Sequence, residues 1–403
     1  MTMHPAGLPN TEYPRALSHN DTTDTTAFDW PGFEQFVVGA ITGAVAEWTA
    51  THRGSRPRRA SLCDFHVRGM LILFPAIAID GRPRHHRSWR PQDWAWQRDA
   101  DRDGDAWAGR ITASIGSGRG RWDEVVAQFF RSLVSASRTA TTYLQTMEAV
   151  EPEFLTVVIN EASGGDDTDD LIVRSIPADR LATEFPAVAA RRAEASRMAG
   201  LDTDDRVREL VAVLDDRNAA VLNRDDAVRM LAACGSPGVD ATTERLVYCD
   251  LDALPHWLAV FDELDEVGDD VVARLRAVVA DPAFAQQRRA GIASSLAWHG
   301  RLTDLIDVLP TLPEDVVLRV LARPYLGTHR NGGTHKKGRL AYAPVEQALI
   351  GREHLDGMLV EMLSPTSMYA IDSDDVAVVM AGLSSPWAFV RRHASIVLLT
   401  VHI

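Results

Sequence analysis

Apolar residues recur at helical spacing throughout the stretch from Asp204 to Arg323. Each apolar stripe covers about three turns and ends at a helix-breaking residue such as Gly235 or Pro310. Short helices with one apolar face are unstable alone, because helix propensity is weak, so they must stack on one another. Similar stripes follow Arg323, so the pattern predicts an array of antiparallel helices over 201–403.

The residues before this array mix helical and strand patterns. Positions 33–48 trace one continuous apolar helix face, and an apolar run at 70–79 suits a strand that is buried on both faces. Residues 107–115 alternate with the period of a half-exposed strand. The predicted strands are 62–67, 70–79, 107–115, 154–159 and 171–176. Residues 28–198 are therefore predicted to form an α+β domain, and the polar residues 1–27 a disordered tail.

Composition places the chain among soluble globular proteins. It has 403 residues, 46% of them hydrophobic and 24% charged, which fits two or three domains. Apolar runs are shorter than the roughly 18 residues that a membrane helix needs, and the N-terminus does not resemble a signal peptide. The three cysteines lie far apart, without metal-ligand spacing. These features predict a cytoplasmic protein with reduced thiols and no membrane partner.

Negative charge is concentrated in the first part of the array. The whole chain carries −14, and residues 201–280 hold 18 acidic residues against 8 arginines, a net of −10. Such a surface argues against nucleic acid as a partner and favours a basic protein. The alternative is that acidic helix faces only keep the protein soluble. The candidate partner-binding residues are Asp215, Asp216, Asp225, Asp226, Asp262, Glu263, Asp265, Glu266, Asp269 and Asp270.

Two of the predicted helices share a finer pattern. Arg224, Ala227 and Leu231 have the spacing of Arg391, Ala394 and Leu398. The pattern resembles the HEAT repeat, in which an Asp or Pro begins the second helix of each pair and an Arg and an Ala follow on it. The resemblance implies an all-α, HEAT-like helical-repeat domain. The arginines do not recur at one fixed period, so an irregular helical domain remains the alternative.

A second resemblance concerns the first half of the chain. An amphipathic helix, paired strands and then Trp89 with Asp93-Trp94 resemble an uncharacterised bacterial domain family. Members of that family occur near polymorphic toxin loci and are suspected immunity proteins. The resemblance covers roughly 28–198. It implies a role in binding a toxin and no catalytic residues.

One acidic segment has the beginning of a calcium-binding loop. Oxygen ligands at the first, third and fifth positions with glycine at the sixth would wrap a hard cation. The twelfth position, which should be a bidentate Glu, is Arg110. An acidic turn without a cofactor is therefore the preferred interpretation, and calcium is the alternative. The candidate metal ligands are Asp99, Asp101, Asp103 and Asp105.

The second half is interrupted by a basic, glycine-rich loop at 327–338, which is a further candidate for binding. Taken together, the patterns predict a non-enzymatic protein-binding protein. Its most specific form is an immunity or antitoxin-like protein that covers a basic toxin. The alternatives are a metal-dependent hydrolase that uses the Asp99–Asp105 loop, and a structural scaffold in a larger assembly.

Overall fold

A small mixed sheet lies in the N-terminal half, and helices make up most of the remaining chain. The computed structural model describes residues 28–63, 65, 67–68, 71–81, 89–114, 119–160, 165–216, 221–326, 340–363 and 375–400. The predicted tail at 1–27 and the basic loop at 327–338 lie outside the described residues.

The main sheet has the strand order β5-β4-β1-β6, and a two-stranded hairpin lies beside it. Strand β1 pairs antiparallel with β4 and parallel with β6, while β4 pairs antiparallel with β5. The strands are β1 (Arg59–Cys63), β2 (Val67–Arg68), β3 (Leu71–Ile72), β4 (Ala76–Asp80), β5 (Trp96–Arg98) and β6 (Leu155–Val158). Strand β6 lies within the predicted strand 154–159. The predicted strand 62–67 overlaps only the end of β1, and the predicted strand 70–79 is divided between β3 and β4.

Both faces of this sheet are covered. Ile77 and Ile79 of β4 face the core shared with the first and third helices, whereas Ala76 and Ala78 pack beside Trp94 on the other face. This alternation follows the two-residue period of a strand. The prediction that the run at 70–79 is buried on both faces is confirmed for the part that forms β4, whereas Leu73 is exposed.

The helices of the first half surround the sheet. Helices α1 and α3 pack on each other, and α1 also contacts β4. Two predictions were wrong: 107–115 belongs mostly to helix α2, and 171–176 belongs mostly to helix α4. The helices are α1 (Trp30–Thr51), α2 (Arg102–Ser114), α3 (Arg119–Thr146), α4 (Gly165–Ser175), α5 (Ala178–Glu184) and α6 (Pro186–Ala199).

The second half consists of helices stacked in two layers. Helices α7, α9 and α11 contact in sequence, and α8, α10, α12, α13, α15 and α17 do the same in the other layer. The bounds are α7 (Thr203–Asp215), α8 (Arg224–Ala232), α9 (Ser236–Tyr248), α10 (Leu254–Glu263), α11 (Asp269–Ala280), α12 (Gln286–Trp298), α13 (Glu314–Ala322), α14 (Ala343–Leu349), α15 (His354–Met362), α16 (Val376–Gly382) and α17 (Ala388–Thr400). A continuous apolar core runs between the layers.

Two buried arginines of α12 join neighbouring pairs of helices. Arg288 donates to the carbonyls of Leu246 and Cys249 at the end of α9. Arg289 donates to the Val279 carbonyl at the end of α11 and to Thr311. Since the last carbonyls of a helix have no partner inside it, these guanidinium groups satisfy acceptors that would otherwise be buried alone.

The junction between the halves is short and is bridged by two arginines, one of which is Arg197 of α6, paired with Glu209 of α7. Helix α6 ends at Ala199 and α7 begins at Thr203. Arg206 donates to the carbonyls of Met198, Ala199 and Leu201, at 2.8–3.0 Å. The separation into domains at 28–198 and 201–403 stays a prediction.

Within the described residues, no helix combines the length and apolar character needed to cross a membrane.

Candidate functional site

The ten acidic residues singled out in the sequence fall into two groups at opposite ends of α10. The first group lies around the turn between α7 and α8. Asp215 accepts from the indole nitrogen of Trp257, in the first turns of α10, at 3.2 Å, and pairs with Arg245 of α9 at 3.0 Å. The end of α7 therefore lies against the first turns of α10. The members of this group are Asp215, Asp216, Asp225 and Asp226.

The second group lies where α10 ends and α11 begins. Asp262 pairs with Arg323 at 3.1 Å, and Asp269 pairs with Arg301 at 2.6 Å. These pairs neutralise part of the charge and bind the segment to later helices. The members are Asp262, Glu263, Asp265, Glu266, Asp269 and Asp270, which we call the opposite edge. The structure does not bring all ten carboxylates together on one face.

Exposed apolar side chains accompany the first acidic group. Tyr248, the last residue of α9, is 71% exposed, and Leu251 in the turn to α10 is 38% exposed. Val221, just before α8, is exposed as well. We call this region the turn edge. It comprises Asp215, Asp216, Val221, Asp225, Tyr248, Asp250, Leu251 and Asp252.

A cavity of about 520 Å³ opens at the turn edge. Its walls come from three successive helix pairs, so its shape depends on how these pairs stack. Leu251 and Pro255 provide apolar surface there. The lining residues are Arg224, Leu251, Asp252, Pro255, His256 and Gln287. A recess beside an exposed tyrosine can accept a side chain of a bound protein.

The histidine of this cavity does not offset the negative charge at neutral pH. Burial lowers the pKa of His256, and the nearby Arg224 lowers it further, while Asp225 acts in the opposite direction. The imidazole is therefore neutral at pH 7. Arg224 also lines the cavity and donates to the Asp216 carbonyl at 3.4 Å, so its charge offsets one of the five aspartates of the turn edge. The turn edge keeps its acidic character.

The Asp99–Asp105 segment begins a helix in this structure. The Asp101 carboxylate accepts from the backbone nitrogen of Gly104 at 2.9 Å, as a residue capping the start of α2 does. Asp103 and Asp105 lie in the first turn, where the helix dipole favours carboxylates. All four aspartates are exposed. Among the described residues, no three metal-ligating side chains are grouped so that they could bind an ion together.

The tryptophan motif of the first half has a packing role. Trp94 is buried against β1 and β4. The Trp89 ring lies 5.6 Å from the Trp94 ring and 4.8 Å from that of Phe185. Arg59 stacks on Trp89, and Glu184 accepts from the Trp89 indole at 3.3 Å. The tryptophan motif therefore holds the end of α5 against the sheet. This agrees with the interpretation that the tryptophan rings pack on the core.

The cysteines do not have the environment of reactive thiols. Cys63, Cys234 and Cys249 are free, and the first two are buried. Burial raises the pKa of Cys234 and of Cys249, although Arg206 and Arg288 respectively act in the opposite direction. A raised pKa keeps a thiol protonated, which lowers its reactivity as a nucleophile.

Sequence reasoning missed the apolar part of the turn edge. Tyr248 directly follows the buried stripe of α9, which ends with Leu246 and Val247. A large aromatic residue immediately outside a buried stripe, followed by Asp250-Leu251-Asp252, was the available signal.

Compared with models of known protein families, with curated proteins and with solved structures, the chain finds no match.

Proposed function

We propose that this protein binds a basic partner protein through the turn edge of a HEAT-like helical array. The observation that carries the proposal is the combination of exposed Tyr248 and Leu251, an adjacent cavity and surrounding aspartates. Aromatic residues dominate the energetics of protein interfaces, and a charged rim guides association with a partner of opposite charge.

The stacking of the helices supports this proposal, because it makes the turn edge rigid. The turn edge combines the end of α7 and the start of α8 with the α9–α10 turn, and Trp257 of α10 and Arg245 of α9 both contact Asp215 of α7. Buried Arg288 holds the end of α9, which carries Tyr248, to α12. A rigid surface loses less entropy on binding than a flexible one, so this construction favours affinity.

The opposite edge is the weaker candidate for partner binding. Asp262 and Asp269 are paired with arginines of the same chain, as Asp215 of the turn edge is, so the two edges differ in their apolar residues and not in ion pairing. Among the described residues, positions 262–270 carry no large apolar side chain that is exposed. Charge without an apolar anchor gives orientation and a faster encounter but little affinity.

The partner that we propose is a toxin, and the protein then acts as an immunity or antitoxin-like protein. The support is the resemblance around Trp89 and Asp93-Trp94 together with the acidic turn edge. In this proposal the α+β half supports the array, since Trp89 and Trp94 are used in packing. A metal-dependent hydrolase is the less favoured alternative, because Asp101 caps a helix and Asp103 and Asp105 lie exposed in its first turn.

Photo-crosslinking tests the proposed surface. A photoreactive amino acid replaces Tyr248 in one variant and Tyr143, a 51% exposed residue of α3, in a matched control. We expect one basic protein to be crosslinked in cells at position 248 and not at 143. The identified protein must then bind the purified chain, more weakly as salt rises past about 0.15 M. Crosslinking of the same protein at both positions, or of acidic proteins only, would refute the proposal.

A further inference from the structure

The molecule also contains a basic groove on the side of the α+β half, far in sequence from the turn edge. The groove has a volume of about 610 Å³ and lies between α3, the end of α4 and the start of α5. This volume is in the usual range for small-molecule sites, roughly 300–1,000 Å³. The lining residues are Arg131, Val134, Ser135, Arg138, Thr139, Val173, Arg174, Ile176, Pro177 and Ala178.

Three guanidinium groups line this groove in a chain with a net charge of −14. Arg131 and Arg138 are seven residues apart on α3, so they project from the same side of the helix at about 10 Å spacing. Arg174 lies at the last turn of α4. A cluster of like charges repels itself, so it is stabilised when an anion lies among its members.

The arginines are poorly compensated by carboxylates of the chain. Among the described residues, Arg131 donates only to the Gln128 side chain, at 2.9 Å, and Arg138 has no side-chain partner. Arg174 pairs with Asp170 at 3.1 Å, where both groups are partly exposed to solvent. The nearby Glu34 carboxylate accepts from Ser132 and Ser135 instead.

The remaining lining provides an apolar floor and a hydroxyl group. Val134 and Ile176 are buried at the base, and Pro177 and Ala178 form the rim. Ser135 donates to Glu34, so Thr139 is the neutral polar residue of the lining whose hydroxyl is available to a ligand. The groove thus combines cationic donors with apolar contact area.

We propose that this groove binds a small ligand that carries an oxyanion, a phosphate or a carboxylate group, on an apolar body. The planar guanidinium group offers paired donors that match both oxyanions. The oxyanion lies between Arg138 and Arg174, and the apolar body rests on Ile176 and Pro177. This proposal is independent of partner binding at the turn edge.

Calorimetric titration of the full chain at low salt tests the site. The probes are inorganic pyrophosphate and citrate, which separate a phosphate site from a carboxylate site. We expect at least one probe to bind wild-type protein, and Arg138→Gln to weaken binding by about tenfold or more, as for loss of a charged hydrogen bond. Arg319→Gln is the matched control, because Arg319 is an exposed, ion-paired arginine of α13.

One further variant distinguishes a ligand-binding site from a group of arginines that has only a structural role. Asp170→Asn removes the carboxylate that pairs with Arg174, so it should tighten binding of the same probe by several-fold. If neither probe binds wild-type protein, or if Arg138→Gln and Arg319→Gln weaken binding equally, the proposal is wrong. Retention of the protein by immobilised polyglutamate without binding of either probe would assign the groove to a macromolecule and overturn it as well.

Discussion

At the residue scale, buried arginines contribute more to holding the helices together than surface arginines do. Arg288 of α12 satisfies two carbonyls at the end of α9, and Arg289 satisfies the carbonyls of Val279 and Thr311, whereas surface ion pairs such as Arg319 with Asp315 join residues of a single helix. Hydrogen bonds from a charged group to buried acceptors are stronger than those between neutral groups. Removing such an arginine leaves its acceptors buried without partners.

We therefore expect Arg289→Met to lower the free energy of unfolding by about 3 kcal/mol, because Val279 and Thr311 lose their donor. Arg274→Met is the control, since Arg274 is exposed on α11, and its effect should remain within about 0.5 kcal/mol. Urea denaturation measures both values. Equal stability of the two variants would show that the buried guanidinium group is not needed.

The packing of the Trp89 ring leads to a second prediction at this scale. Trp89→Ala removes the ring contacts with Trp94 and Phe185 and the hydrogen bond to Glu184, and should cost about 3 kcal/mol. Trp89→Phe keeps an aromatic ring and should cost only about 1 kcal/mol. Thermal unfolding checks this order. A stable Trp89→Ala variant that loses partner binding would move the motif from packing to recognition.

At the element scale, the helix pairs of the array depend on close approach at small residues. A Cβ atom added to Gly238 in α9 would lie 2.3 Å from the Leu231 carbonyl oxygen of α8. Gly235, between these helices, has φ +64°, a conformation that L-residues adopt at a cost. The turn between α8 and α9 is therefore short because two glycines permit it.

Gly238→Ala should destabilise the protein by about 2 kcal/mol, since a backbone oxygen cannot move away as a side chain can. Gly109→Ala is the matched control on α2, where the added methyl group meets no atom within 4 Å. Because alanine is the better helix former, that change should stabilise by about 0.5–1 kcal/mol. Changes of the same sign in both variants would contradict this account of the α8–α9 contact.

The elements also show why two strand predictions failed. In α2 the buried residues are Gly104, Ala108 and Ile111, which is helical spacing, but the segment 107–115 also alternates. Over a short run both periods fit. From the sequence, Asp101, Asp103 and Asp105 are interpreted as an acidic turn, with a calcium loop as the alternative, although the same residues also fit a helix cap and an acidic first turn.

At the scale of the whole molecule, the buried apolar cores of the two halves are separate, and Arg206 bridges the junction together with the Arg197–Glu209 ion pair. Limited proteolysis tests the predicted domains. Arg206→Ala should speed cleavage at 199–203, because three carbonyls lose their donor and the segment opens more readily. The exposed Arg208, changed to Ala, is the control. Two stable fragments would support separable domains, and progressive degradation would argue against them.

The sequence was informative for the array and less so for the candidate site. Stripes such as Val271, Val272 and Leu275 predict helices because each apolar face is buried in the same core. The acidic residues were found by counting charge, but their division between two edges depends on which helix ends meet. Tyr248 and the Arg131–Arg138 groove also depend on tertiary packing, since exposure of a residue is decided by its neighbours.

We propose that the turn edge, and not the opposite edge, binds a basic protein. The most direct test is the association rate of the partner crosslinked at position 248 with two charge-reversed variants. One carries Asp225→Lys and Asp250→Lys at the turn edge, and the other carries Asp265→Lys and Glu266→Lys at the opposite edge. Exposed charges contribute little to stability, so both variants should fold.

We expect the turn-edge variant to associate about tenfold more slowly than wild-type protein at low salt, and the opposite-edge variant to associate at nearly the wild-type rate. The difference should diminish as salt rises past about 0.15 M, where screening limits such interactions to roughly 8 Å. Equal slowing in both variants, or slowing only in the opposite-edge variant, would contradict the claim.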